Sequence, residues 1–266
     1  FRRDIHRHPE LSFQEKRTAE PIARALDRLG ISYTAVAGTG IVAEIPGSSS
    51  PGSPKVAVRA DIDALPIREE TGLEFASVNE GVMHACGHDG HTAMVLGAAE
   101  LLARSKDLPA PVRVLFQPGE EKGLGAVAMI EAGALDGVAM IFGGHVDRNF
   151  ETGEIVTHAG AVNASTDSFR IDIQSKGGHA ARPHEAVDSV VVGSLLVMAI
   201  QTIVSREINP AHPSVVTVGR FDAGTAPNVI AARARLQGTI RAKEQRGRDH
   251  FVQSLSRIGE SIGKLH

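Results

Sequence analysis

Apolar residues recur at helical spacing at Ile22, Leu26 and Leu29, and Gly30 follows where a left-handed C-cap is wanted. The start of that helix is predicted at Ser12-Phe13-Gln14-Glu15, a serine with a glutamate three positions on, the spacing of a capping box. Pro21 conflicts with a helix interior, so a kink or a late start is expected there. Short β-type runs follow at 41–45 and 56–60, separated by the turn-rich Pro46-Gly47-Ser48-Ser49-Ser50-Pro51-Gly52. A helix is predicted over 92–104, a buried strand over 112–116, a helix over 124–132 and a strand over 138–142. Strands alternating with helices imply an α/β domain with a mixed, largely parallel sheet.

The pattern changes near Asn163. Residues 168–174 alternate like a half-exposed strand, 185–206 form a long apolar helix, 214–221 and 231–240 read as strands, and 245–262 as an amphipathic helix. This β-α-β-β-α order predicts a smaller two-layer α+β domain with helices on one face of an antiparallel sheet. The expected domains are 1–163 and 164–266.

With 266 residues, the chain has room for two ordinary domains, and 42% hydrophobic with 22% charged residues is the composition of a soluble globular protein. A net charge of −3 supplies no basic field for nucleic acid or anionic lipid, so neither is an expected partner. The longest apolar run, 190–203, is interrupted by Gly193, Ser194 and Gln201 and reads as a buried helix, not a membrane span. A single cysteine excludes an internal disulfide framework and fits a reducing, cytoplasmic setting. The start at Phe1, with no visible signal peptide, suggests that an N-terminal stretch is missing.

That cysteine lies in Met83-His84-Ala85-Cys86-Gly87-His88-Asp89-Gly90-His91. A thiolate and imidazoles are favoured donors to zinc and related ions, and Gly87 and Gly90 let the backbone turn tightly around one. Three predicted strands end in polar residues: 56–60 in Asp61 and Asp63, 112–116 in Glu120 and Glu121 after a Pro-Gly turn, and 138–142 in His145. Ligands in open α/β sheets bind at the carboxyl ends of strands, so carboxylates and a histidine converge on one rim that the 86–91 loop can join. Metal-assisted hydrolysis is the chemistry this set permits: one glutamate binds metal and its neighbour accepts a proton from water.

These residues resemble the amidohydrolase branch of the M20 metallopeptidase family, which includes aminoacylases, hippurate hydrolases and hydrolases of auxin–amino acid conjugates. The matching stretches are Arg2 through Leu11, Arg59-Ala60-Asp61-Ile62-Asp63-Ala64-Leu65-Pro66, Met83 through His91, Gly119-Glu120-Glu121, and Gly177-Gly178-His179-Ala180-Ala181-Arg182-Pro183-His184, in family order. The resemblance implies a zinc-peptidase-like catalytic domain with an inserted lid that also mediates homodimerisation. It implies two divalent ions per subunit (zinc or manganese, with cobalt or nickel admissible), held by Cys86, His88, Glu121 and His145, with Glu120 as general base. Asp63 matches an acid that orients the ligands, and Asp61 stands where the wider family has a histidine, a loss that Cys86 makes up. Asp89 and His91 become supporting residues around the helix start. In the lid, His179 matches a histidine that steadies the oxyanion, often from the partner subunit, while Asn228 and Arg241 match residues that hold the substrate's free carboxylate.

The implied activity is hydrolysis of the amide of an N-acyl amino acid. A dipeptidase or carboxypeptidase of the same family is the alternative within hydrolases; a carboxylate-binding protein without hydrolysis and a dimerisation module are the alternatives outside them. The chain stops at His266, so the lid's last strand, the returning part of the catalytic domain and a final histidine ligand are expected to be missing.

Overall fold

The computed structural model describes residues 1–50, 52–157 and 159–266, so Pro51 of the turn-rich stretch lies outside the described residues. The chain divides into two compact units, Phe1–Glu154 and Ile155–His266. That division falls ahead of the Asn163 expected from the change of pattern, because the described residues between Ile155 and Ala164 form no regular element and lead straight into the next strand.

The first unit runs α1 (Arg2–Arg7), α2 (Lys16–Leu29), β1 (Ser32–Val36), β2 (Gly40–Ile45), β3 (Lys55–Asp61), α3 (His88–Ala103), β4 (Val112–Gln117), α4 (Gly125–Glu131) and β5 (Val138–Gly143). Its sheet has the order β1-β2-β4-β3-β5. The sheet is mixed: β1-β2 and β2-β4 are antiparallel, and the parallel part is confined to β4-β3-β5. Every residue of β4 is buried, since strands flank both its edges and helices cover both its faces. Ile22 and Leu26 of α2 and Leu96 and Ala99 of α3 pack with Ile41, Val114 and Phe116 on one side of the sheet. Leu115 and Ala57 meet Met129 and Ala134 on the other. Among the described residues β5 pairs only with β3 and is an edge strand, with Met140, Ile141 and Phe142 exposed despite their apolar character.

Three local predictions are corrected. α2 begins at Lys16, with Glu15 as its N-cap and no side-chain cap, so the capping box does not form. Ser12 donates its hydroxyl to Asp63 Oδ2 at 2.7 Å instead, and Glu15 is taken up by other donors. The late start at Pro21 does not occur, since Pro21 sits inside a helix that runs from Lys16 to Leu29. α3 begins at His88 and not at Thr92, because its first turn carries the buried polar residues His88, Asp89 and His91, which an apolar pattern cannot register.

The second unit runs β6 (Ser165–Gln174), β7 (Gly178–His179), a 3-10 turn (Pro183–Glu185), α5 (Ser189–Thr202) continuing into a π turn (Ile203–Glu207), β8 (Ser214–Ala223), β9 (Val229–Ile230), β10 (Arg233–Ala242) and α6 (Gln245–Leu265). β6-β10-β8 form an antiparallel sheet, and β7 and β9 a short separate ladder. The helix expected from residue 185 starts at Ser189, where the Asp188 side chain accepts the N–H of Val190 at 2.8 Å. Val192, Leu196, Ile200 and Ile203 pack with Phe251 and Ile258 of α6 against Val216, Leu236 and Ile240. Ser189–Glu207 is long and apolar enough, by length and composition, to cross a membrane, and here its inner face serves as a core helix of this two-layer unit.

Candidate metal centre

β3 and β4 end level, with Asp61 in register with Gln117, and β5 ends two residues earlier, with Gly143 in register with Arg59. The segments leaving these strands therefore emerge together, and α3 starts beside them. Gly87 caps α3 with φ +83, and a Cβ there would stand 2.5 Å from Val146 Cγ2. Only glycine admits both that conformation and the close approach of the 86–88 turn to the 144–146 turn.

This packing brings together Cys86, His88 and His145, and, around the same His88, Glu120 with Glu121 and Asp61 with His91. His88 Nδ1 lies 2.9 Å from the carbonyl oxygen of Asp63, so it donates and leaves Nε2 with a bare lone pair. His145 repeats the arrangement: Nδ1 is 2.7 Å from the carbonyl of Val146, and Nε2 faces Cys86 Sγ at 3.4 Å. His88 Nε2 stands 3.8 Å from Glu121 Oε1 and 3.6 Å from Asp61 Oδ2. His88 Nε2, Glu121 Oε1 and Asp63 Oδ1 are all buried without a hydrogen-bond partner among the described residues.

A bare lone pair confronting carboxylate oxygens is repulsive unless a proton or a metal cation lies between them. Donor atoms bound to one ion at about 2.0–2.3 Å stand about 3–4 Å apart, which is the spacing seen here. A histidine whose other nitrogen is committed to a backbone carbonyl is the form that ligates metal. The residues present therefore fit divalent ions.

The electrostatics agree. Burial disfavours a charged His88, yet the hydrogen bond to Asp63 and the charges of Asp61, Asp63 and Glu121 outweigh it and raise its pKa. Burial and the charges of Glu121, Glu120 and Asp61 push the Cys86 thiol up to about 12. Both shifts report a pocket that wants positive charge, as a proton or as a metal. Burial and neighbouring Glu121 also raise Glu120, the shift that suits a carboxylate taking up a proton. Burial opposes charge on Asp61, but the hydrogen bond from His91 and the charge of Arg59 bring it down to about 2. Asp63 is likewise lowered, against burial, by His88, Ser12 and the N–H of Glu121.

Asp61 accepts from His91 Nδ1 at 2.6 Å and from Arg59 Nη1 at 2.7 Å. Asp63 accepts from Ser12 at 2.7 Å and from the N–H of Glu121 at 3.0 Å. Arg59 Nε donates to Gln117 Oε1 at 2.9 Å, a pairing that the local pattern of residues does not register, and Ser12 and Glu15 serve this neighbourhood and not a helix cap. Nor does that pattern register that Asp89, at the α3 N-terminus, accepts from Arg2 (2.8 Å) and His6 (3.0 Å), tying α1 to the start of α3.

In the second unit, His179 pairs with Val229, and the Ala180 N–H donates to the Asn228 carbonyl at 3.1 Å, so His179 and Asn228 share one corner. The Ala181 N–H donates to His179 Nδ1 at 3.1 Å, which leaves Nε2 as the protonated nitrogen. Arg241 lies near the far end of β10, paired with Thr166 and Val215. At about 3.3 Å per residue it is on the order of 25 Å from Arg233, where β10 leaves that corner. One copy of this unit does not bring Arg241 to Asn228.

An α/β scaffold that gathers a thiol, imidazoles and carboxylates between the carboxyl ends of parallel strands and the start of α3 defines a metal-site protein. Residues 57–256 match the model of peptidase family M20/M25/M40, and the chain belongs to that family. It is 43% identical over 264 residues to the N-acetyl-L-cysteine deacetylase of Bacillus subtilis, covering 98% of this chain and 63% of that protein. It is 43% identical over 269 residues to the N-acyl-L-amino acid amidohydrolase of Geobacillus stearothermophilus, covering all of this chain and 72% of that protein. The crystal structure of Bacillus subtilis YXEP, described as a dinuclear metal binding peptidase of the M20 family, superposes with a TM-score of 0.85 at 40% identity, over 99% of this chain and 68% of that one. The chain thus spans between about three-fifths and three-quarters of the length of these relatives.

Proposed function

We propose that this chain forms the larger part of a metal-dependent amidohydrolase that cleaves N-acyl amino acids to a carboxylic acid and a free amino acid. One observation carries the reading: His88 and His145 each commit Nδ1 to a backbone carbonyl and turn Nε2 toward Cys86 and Glu121. Cys86, His88, Glu121 and His145 would hold two divalent ions, zinc or manganese by donor type, with cobalt or nickel admissible. When bound, such ions polarise the scissile carbonyl and make water a nucleophile at neutral pH.

Glu120 takes the proton of the attacking water and returns it to the amine nitrogen as the C–N bond breaks. Its raised pKa, from burial and the adjacent Glu121, matches that double duty. Asp61 and Asp63 act through others: Asp61 orients His91, and Asp63 holds both His88 and the backbone of Glu121. His179 offers its Nε2–H to the tetrahedral oxyanion, and Asn228 and Arg241 hold the free carboxylate of the substrate. Because Arg241 lies far along β10 from the corner of His179 and Asn228, these three meet on one substrate when two copies contribute, which makes the working form a homodimer assembled through the second unit. In this reading the first unit is the catalytic domain and the second a lid.

The test is Glu120→Ala in the whole enzyme. It should keep its bound metal and lose hydrolysis of N-acetyl and N-benzoyl amino acids by several orders of magnitude. Near-normal turnover would remove Glu120 as the base, and turnover of dipeptides alone would replace the substrate class.

A further inference from the structure

The turn before α2 is hydrogen-bonded to the loop that carries the two glutamates. Glu15 is fully buried, an expensive place for a carboxylate, and three donors surround it. Oε1 accepts the N–H of Phe13 at 2.8 Å and the N–H of Gly119 at 2.9 Å, and Oε2 accepts the Thr39 hydroxyl at 2.5 Å. Gly119 immediately precedes Glu120. From the same turn Ser12 donates to Asp63 Oδ2, the oxygen that also accepts the N–H of Glu121. Residues 12–15 thus reach both ends of the 119–121 loop, directly through Glu15 and through Asp63.

The backbone shows how tightly the two segments are fitted. Phe13 has φ +66, in the left-handed region that non-glycine residues rarely adopt. Its ring covers Gly119, where a Cβ would come within 2.6 Å of two ring atoms. Gly119 itself has φ +60. The Phe13 ring packed on Gly119 and the buried Glu15 bonded to its N–H together restrict the loop. An apolar residue at position 15 would avoid the desolvation cost but leave the Gly119 N–H buried without an acceptor.

We propose that Glu15 is a positioning residue for the metal-binding and proton-accepting glutamates: its carboxylate fixes the backbone of Gly119 and thereby the directions in which Glu120 and Glu121 project. The inference rests on the reading of Glu121 as ligand and Glu120 as base. Displacements near 1 Å in such groups cost on the order of 100-fold in rate, and losing a group that orients a ligand costs about 10–100-fold in metal affinity.

The experiment compares Glu15→Gln and Glu15→Met in the whole enzyme, with zinc affinity measured by chelator competition and kcat and KM measured at saturating zinc on an N-acetyl amino acid. Glutamine can accept both N–H groups on Oε1 and donate its amide to the Thr39 hydroxyl, which reverses its own role; methionine can do neither. Expected for Glu15→Met are about tenfold weaker zinc binding and a kcat lower by about 10–100-fold with KM little changed, and for Glu15→Gln recovery of most of both. Zinc affinity within twofold of wild type in a folded Glu15→Met overturns the proposal, as does a Glu15→Gln variant no better than methionine. Should Glu15→Met not fold, Thr39→Val, which removes the hydroxyl that Glu15 Oε2 accepts, decides: weaker zinc binding supports the proposal, and wild-type affinity overturns it. Wild-type enzyme that binds zinc yet cleaves no N-acyl amino acid would overturn the functional reading instead, and the zinc measurements on Glu15 would still stand.

Discussion

The backbone N–H of Val146 donates to Nε2 of His91 at 3.0 Å, which fixes the tautomer of that ring. Nδ1 must then carry the proton, and it donates to Asp61 Oδ1 at 2.6 Å. With both nitrogens committed, His91 cannot ligate a metal in this arrangement, although it lies among groups that could hold one. It fastens the 144–146 turn, and with it His145, to α3.

Breaking that fastening should therefore weaken metal binding without removing a ligand. His91→Phe loses both hydrogen bonds and is expected to bind zinc about 10–100-fold more weakly, while His91→Gln, which can donate and accept, recovers part of the loss. Chelator competition on folded protein provides the measurement. Equal zinc affinity in His91→Phe and wild type would show that Val146 is held by other contacts.

Zinc binding should expel the thiol proton of Cys86. With that pKa near 12, the thiol stays protonated at pH 8 until a cation arrives. Titrating zinc in buffers of different ionisation enthalpy should show about one more proton released by wild type than by Cys86→Ser. Identical release from the two would exclude Cys86 as a thiolate ligand.

His84 sets an acid limit on stability in the metal-free protein. It is 3% exposed with neither ring nitrogen partnered, and burial, against the charge of Asp89, pulls its pKa down to about 4. The unfolded chain binds this proton near pH 6.5 and the native one only near 4, so between those values the unfolded state holds more protons. Stability is thus lost as pH falls through this window, by up to about 3 kcal/mol, and His84 takes no more below it. The difference between the denaturation curves of wild type and His84→Leu should grow over that range and then level off. Parallel curves would mean that His84 is not buried neutral.

A site shared between copies predicts complementation. His179→Ala and Arg241→Ala should each be inactive alone, yet mixed dimers would contain one site with both residues intact. After random exchange about a quarter of wild-type activity should return. No recovery, with exchange verified by mass, would place both residues in one copy's site or in none.

Much of the fold was legible because periodicity reports which faces are buried. Ile22, Leu26 and Leu29 marked α2, the run 112–116 marked the central strand β4, and the apolar 185–206 stretch contained α5. Two kinds of feature were not. Polar residues buried in the first turn of α3 hid its start, and Ser12 and Glu15 fitted a local cap so well that their distant partners, Asp63 and Gly119, left no trace in the local pattern.

The sequence by itself determined the donor inventory: a lone cysteine among histidines, acids after strands and glycines at the turns. That follows from chemistry, since few residue types hold metal and fewer tolerate a left-handed turn. Tertiary structure decided the division of labour. The neighbouring ends of β3, β4 and β5 turned scattered acids into one cluster, and hydrogen-bond direction made His88 and His145 bare at Nε2 while closing His91. Such roles depend on which partner a ring nitrogen meets across dozens of residues, and the spacing of residues along a chain does not encode that meeting.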